Sequence, residues 1–107
     1  KGTVADVARI GGIMAAKRTA EWIPFCHTLP LERCKIEVTP DEETRSFLIQ
    51  CSVATEAKTG VEMEALTGAS AAALTLYDMT KSLSHDIVIK SVQLLRKTGG
   101  KSDFQRE

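Results

Sequence analysis

The sequence predicts an α+β fold, an antiparallel sheet with two main helices packed on one face. Three observations predict it. Stretches 3–18 and 61–83 place small and apolar residues at helical spacing. Stretches 31–39 and 45–54 alternate apolar with polar residues across a turn, which makes a hairpin. Stretch 86–96 alternates again and closes the order helix, strand, strand, helix, strand. The 107 residues fit one domain, 1–107, of ordinary size.

In the first helix, Val4, Val7, Ala8, Gly11 and Ala15 share a face, and Thr3 is positioned as the N-cap. Gly11-Gly12 weakens it by up to about 1 kcal/mol per glycine relative to alanine, a cost that close packing against another element would explain. The helix stops near Thr19, and Pro24 prevents simple continuation. Cys34, Ile36 and Val38 alternate with Lys35, Glu37 and Thr39, Pro40 to Glu43 form the turn, and Phe47, Ile49, Cys51 and Val53 line one face of the return strand. The second helix begins after Thr59-Gly60, with Glu62 and Glu64 near the positive end of its dipole. Its middle holds Ala65, Gly68, Ala69, Ala71, Ala72 and Ala73, a surface that lets another backbone approach. In the last strand the phase shifts at Lys90-Ser91, a bulge signal, before Gly99-Gly100 breaks the pattern. One more strand ahead of Lys1 would complete βαββαβ, the ferredoxin-like arrangement.

Fourteen basic residues balance fourteen acidic ones, with no polybasic block, which argues against nucleic acid as a partner. Every apolar run is far shorter than the roughly 20 residues of a membrane span. Three cysteines without a CxxC pair argue against a disulfide framework and a structural zinc site. A reducing compartment follows, the cytoplasm by default, with an organelle left open.

Four groups of residues could carry chemistry, each beside a plainer reading. His27, in the proline-bounded stretch Pro24 to Pro30 with Cys26, is a positioned acid, base or phosphate ligand, or a structural histidine bonded to a carbonyl. Cys26 and His27 are adjacent in an extended loop and point apart, so they make no nucleophilic pair. Glu62 and Glu64 flank Met63 and line a site, or simply enrich a helix start in acid. Asp78 and Lys81, at i and i+3, form a proton-transfer pair or a surface ion pair. Their place after a largely apolar helix favours a buried, functional pair. Lys1, Lys17, Arg18, Lys97 and Lys101 are the further cations that could meet phosphate oxygens, each weak evidence alone. Gly99-Gly100-Lys101-Ser102 is not a P-loop, because Leu95 stands where the first glycine belongs, although its turn could offer N–H groups to an anion. Glu64 and Asp78 lie fourteen residues apart, about 21 Å along a helix, so one reacting atom cannot touch both. Sites built from two subunits would resolve that.

Together these segments resemble the cyclic pyranopterin monophosphate synthase family of molybdenum cofactor biosynthesis, almost from end to end. The carriers are Ala8 to Ile10, Ala15 to Thr19, Ile23 to His27, Lys58 to Thr67, Ala72 to Met79 and Lys97 to Ser102. The resemblance implies a lyase. Its substrate is a 3′,8-cyclised dihydro-GTP, its products are cyclic pyranopterin monophosphate and pyrophosphate, and no cofactor is needed. It implies a hexamer, a trimer of dimers with active sites at the dimer interface. Carried over by position, catalysis falls on Asp78, Lys81, Lys1 and His27. Substrate binding falls on Cys26, His27, Glu62, Met63, Glu64, Lys17 and Lys97. Thr28 stands where the family usually has proline and Thr80 where it has cysteine, and a glycine usual after Ser102 is missing. The family's N-terminal strand and its substrate-binding arginine precede the stretch matched here. A non-catalytic nucleotide-binding module and a structural partner of the upstream enzyme are the competing readings. Retention of His27, Asp78 and Lys81 favours catalysis over the first, and the second predicts no affinity for a GTP analogue.

Overall fold

A computed structural model describes residues 3–56, 60–100 and 102–106. Helix α1 spans Val4–Ala16 and is followed by the single turn α2, Thr19–Trp22. Strands β1, Arg33–Asp41, and β2, Ser46–Ala54, form an antiparallel pair. Helix α3 spans Glu62–Thr80, and a two-residue ladder joins β3, Arg96–Lys97, to β4, Phe104–Gln105.

Thr3 caps α1 as its sequence position indicates, its hydroxyl accepting from the Asp6 N–H at 3.1 Å. Helices α1 and α3 lie together on one face of the β1–β2 sheet, with Ala8, Ile36, Val38, Ala72 and Leu76 as the buried core. Small residues at the helix crossing make this possible. A Cβ on Gly68 would stand 3.3 Å from the Gly12 carbonyl oxygen, and one on Gly12 would stand 2.7 Å from that of Gly68. The glycine cost seen in the sequence is therefore offset by a close backbone approach. The fold is α+β, with a two-stranded antiparallel sheet and helices packed on it.

Two local expectations are corrected. The hairpin turns at residues 42–45, and β1 runs on through Pro40 and Asp41. The Asp41 carboxylate accepts from the Glu43 N–H at 3.1 Å, which sets the turn after Asp41, while an edge strand tolerates the missing donor of Pro40. Residues 86–95 form no ladder; only Arg96–Lys97 pairs. The alternation of Ile87, Ile89 and Val92 states which side is apolar, but a strand also needs a backbone edge to bond. Among the described residues that stretch meets one only at its end, where the Leu95 carbonyl accepts from the Arg106 N–H at 2.6 Å. Among the described residues, no helix is long and apolar enough to cross a membrane.

Candidate functional site

The first turn of α3 carries Glu62, Met63 and Glu64. Glu64 is buried, whereas Glu62 reaches outward to Lys97 on β3, with Nζ 3.4 Å from Oε1. Thirty-five residues separate the two, so this ion pair pins the C-terminal ladder to the start of α3. The side chain of Lys97 is only 19% exposed, which limits water's competition for the pair. Gly60 and Gly100 add to the junction: a Cβ on Gly100 would lie 3.2 Å from the Gly60 nitrogen. Gly99 and Gly100 adopt φ of 85° and 68°, a region suited to glycine. The anion offered to this turn comes from the chain itself, since Asp103 accepts from the Gly99 N–H at 3.1 Å.

The far end of α3 carries Asp78 and Lys81, whose Oδ1 and Nζ are 2.8 Å apart. The carboxylate beside it holds Lys81 above the ordinary lysine range, first through the hydrogen bond and then through charge. The expectation of a buried pair is corrected, because both side chains are more than half exposed within the single chain. The reason is position along the helix. The buried stripe of α3 runs through Glu64, Gly68, Ala71, Ala72 and Leu76. Leu76 is its last buried residue, and the turn beyond it runs past the core, so even Asp78, two turns on from buried Ala71, is exposed.

Cys26 and His27 follow Phe25, whose φ of 63° turns the chain out of α2. Cys26 is half-buried and His27 exposed, and the Cys26 sulfur lies 4.0 Å from the His27 carbonyl oxygen. Lys17 is exposed at the C-cap of α1. Met63 is half-buried. Lys1, Lys58, Thr59 and Lys101 lie outside the described residues. The chain thus joins Glu62 to Lys97 and Asp78 to Lys81, at opposite ends of one helix. No hydrogen bond or ion pair among the described residues links His27 or Lys17 to either pair. The sequence reading named Glu62 and Lys97 without pairing them. It also passed over the nearness of Cys34 and Cys51, although alternation already placed each on the inward side of its strand.

The fold and these pairs define a small α+β domain that presents lysines against carboxylates at both ends of its longer helix. The chain belongs to the MoaC family, which it matches over residues 1–100. It is 57% identical over 102 residues to cyclic pyranopterin monophosphate synthase of Nostoc sp., covering 95% of this chain and 61% of that protein. It is 51% identical over 106 residues to the protein of the same name from Thermomicrobium roseum, covering 99% and 64%. Molybdenum cofactor biosynthesis protein 1 of Drosophila melanogaster is 55% identical over 107 residues, covering 100% of this chain and 19% of that protein. The chain therefore spans less than two thirds of the length of these relatives.

Proposed function

We propose that this domain converts a 3′,8-cyclised dihydro-GTP to cyclic pyranopterin monophosphate with release of pyrophosphate, an early step of molybdenum cofactor biosynthesis. The observation that carries the reading is the Asp78–Lys81 pair, set at 2.8 Å in a chain more than half identical to relatives named for that synthase. Asp78 raises the proton affinity of Lys81, so at neutral pH Lys81 acts as a general acid during opening and re-closure of the purine-derived ring. Lys1, Lys17 and Lys97 hold the triphosphate and stabilise charge on the departing pyrophosphate. Glu62, Met63 and Glu64 position the base-derived portion, and Cys26 and His27 orient the substrate or relay a proton. The conversion is redox-neutral and draws on no redox cofactor.

The separation of the two charged pairs supports sites shared between protomers of a hexamer, a trimer of dimers. Glu62 and Asp78 are sixteen residues apart on α3, about 24 Å at helical rise. Exposed apolar side chains at Ile10, Met14, Trp22 and Leu74 are available for burial in such an assembly. The location that goes with this reading is the cytoplasm or an organelle that makes the cofactor.

The test follows pyrophosphate release from the cyclised dihydro-GTP by the full chain and by Lys81→Ala. Loss of at least about a hundredfold is expected for removal of a general acid. Equal rates would refute the assignment of Lys81. Binding of substrate without turnover by the wild-type chain would favour a nucleotide-binding module instead.

A further inference from the structure

Cys34 on β1 and Cys51 on β2 stand outside the charged pairs. In the strand register Cys34 opposes Val53 and Cys51 opposes Ile36. The cysteines are therefore diagonal neighbours on one face of the ladder, within reach of each other's side chains. Both are half-buried, reduced, and packed against the core cluster. The Cys51 sulfur is wedged under α3, 2.8 Å from where a Cβ on Gly68 would stand, so it has little freedom to turn away from Cys34.

We propose that Cys34 is a thiol-modification site: its sulfur, paired with the Cys51 thiol, attacks low-molecular-weight disulfides and carries a reversible mixed disulfide. The step balances. The Cys34 thiolate forms a bond to one sulfur of the small disulfide, the disulfide bond breaks, and the leaving thiolate takes up the proton that Cys34 gave to solvent. Cys34 is oxidised and the departing sulfur reduced, and a free thiol reverses the exchange.

The groups that act on Cys34 support this. A hydrogen bond from Cys51 lowers its pKa from 9.0 to about 7, against the effect of burial, and the charge of Lys17 at the end of α1 helps. Cys51 is pushed far up by the same bond and by burial, so it stays protonated as the donor. At neutral pH Cys34 therefore carries more thiolate than an ordinary cysteine. Lower basicity makes each thiolate less nucleophilic, which offsets only part of that gain.

The full reduced chain is treated with oxidised glutathione, and separately with iodoacetamide over a pH series, and peptide mass spectrometry times each cysteine. Cys34 is expected to react first, with a midpoint near 7. Cys51→Ala should move that midpoint up and slow the reaction at neutral pH severalfold. Cys51→Ser keeps an O–H donor and should hold the midpoint low. Prior labelling of Cys26, or an unchanged Cys34 midpoint in folded Cys51→Ala, would overturn the proposal. Should Cys51→Ala fail to fold, the order of labelling in the wild-type chain and the midpoint in Cys51→Ser decide it.

Discussion

Gly12→Ala should destabilise the domain even though alanine is the better helix former. In an isolated helix the change gains up to about 1 kcal/mol. Here the new Cβ would stand 2.7 Å from the Gly68 carbonyl oxygen and 3.2 Å from the Ala72 Cβ, and would overlap the end of Ile36. Ile36 is 3% exposed and has little room to rotate away, and the carbonyl belongs to the α3 backbone. The helices must therefore part, an overpacking cost near the upper end of roughly 1–3 kcal/mol. Net destabilisation is about 1–2 kcal/mol, or roughly 5–15 °C in Tm for a domain of this size. Gly11→Ala supplies the control, because the three atoms its Cβ would meet first all belong to the Thr75 side chain, nearest at a hydroxyl that can move aside by giving up its bond to the Ala71 carbonyl, whereas Gly12 faces backbone. That variant should stay within about 1 kcal/mol of wild type. Thermal and urea unfolding by circular dichroism at matched protein concentration measures both, since assembly makes Tm depend on concentration. A Gly12→Ala protein as stable as Gly11→Ala would refute the close crossing of α1 and α3.

Asp78→Asn should lower the Lys81 titration, read by NMR of the side-chain ammonium. The pair favours the charged lysine, so its contribution is complete below the ordinary value of 10.5 and fades as pH rises through the raised one. An unmoved midpoint in the variant would contradict that cause. Lys97→Ala removes the tie between the C-terminal ladder and α3, at a global cost below about 1 kcal/mol for a partly exposed pair. Amide exchange should quicken along residues 96–105 and stay slow at Ala8 and Ala72; equal protection along 96–105 would show that the ladder stands without the tie.

The parts of the fold that were legible in the sequence are those encoded within a few residues. Thr3 as a cap, the alternation of Ile36 and Val38, and the small-residue run through Gly68 and Ala72 all state local geometry, and the structure realises each. The Gly11-Gly12 cost even announced the close helix crossing. What failed needed a partner elsewhere in the chain. The alternation in 86–95 cannot say whether a backbone edge waits beside it. The pairing of Glu62 with Lys97 depends on how the chain returns after thirty-five residues. The burial expected for Asp78 and Lys81 fails because the apolarity of the preceding helix does not say where along it the core ends, and Leu76 is the last buried residue of α3. The Cys34 and Cys51 pair required the strand register, which alternation alone leaves open.

Continuity of α3 carries a consequence for how the proposed site is assembled. The Glu62–Lys97 and Asp78–Lys81 pairs cannot approach each other without breaking the helix that holds them. If one site takes the Glu62 end from one protomer and the Lys81 end from its partner, two inactive variants should complement. In co-expressed Lys81→Ala and Glu62→Ala chains, half of the randomly formed two-fold dimers are mixed. One of the two sites in each mixed dimer is then fully wild type, so about a quarter of all sites work. Pyrophosphate release by the purified mixed assembly should therefore recover to about a quarter of the wild-type rate. Sites contained within single chains would give no recovery. That result would separate the two charged pairs into different functions and confine the reaction to one end of α3.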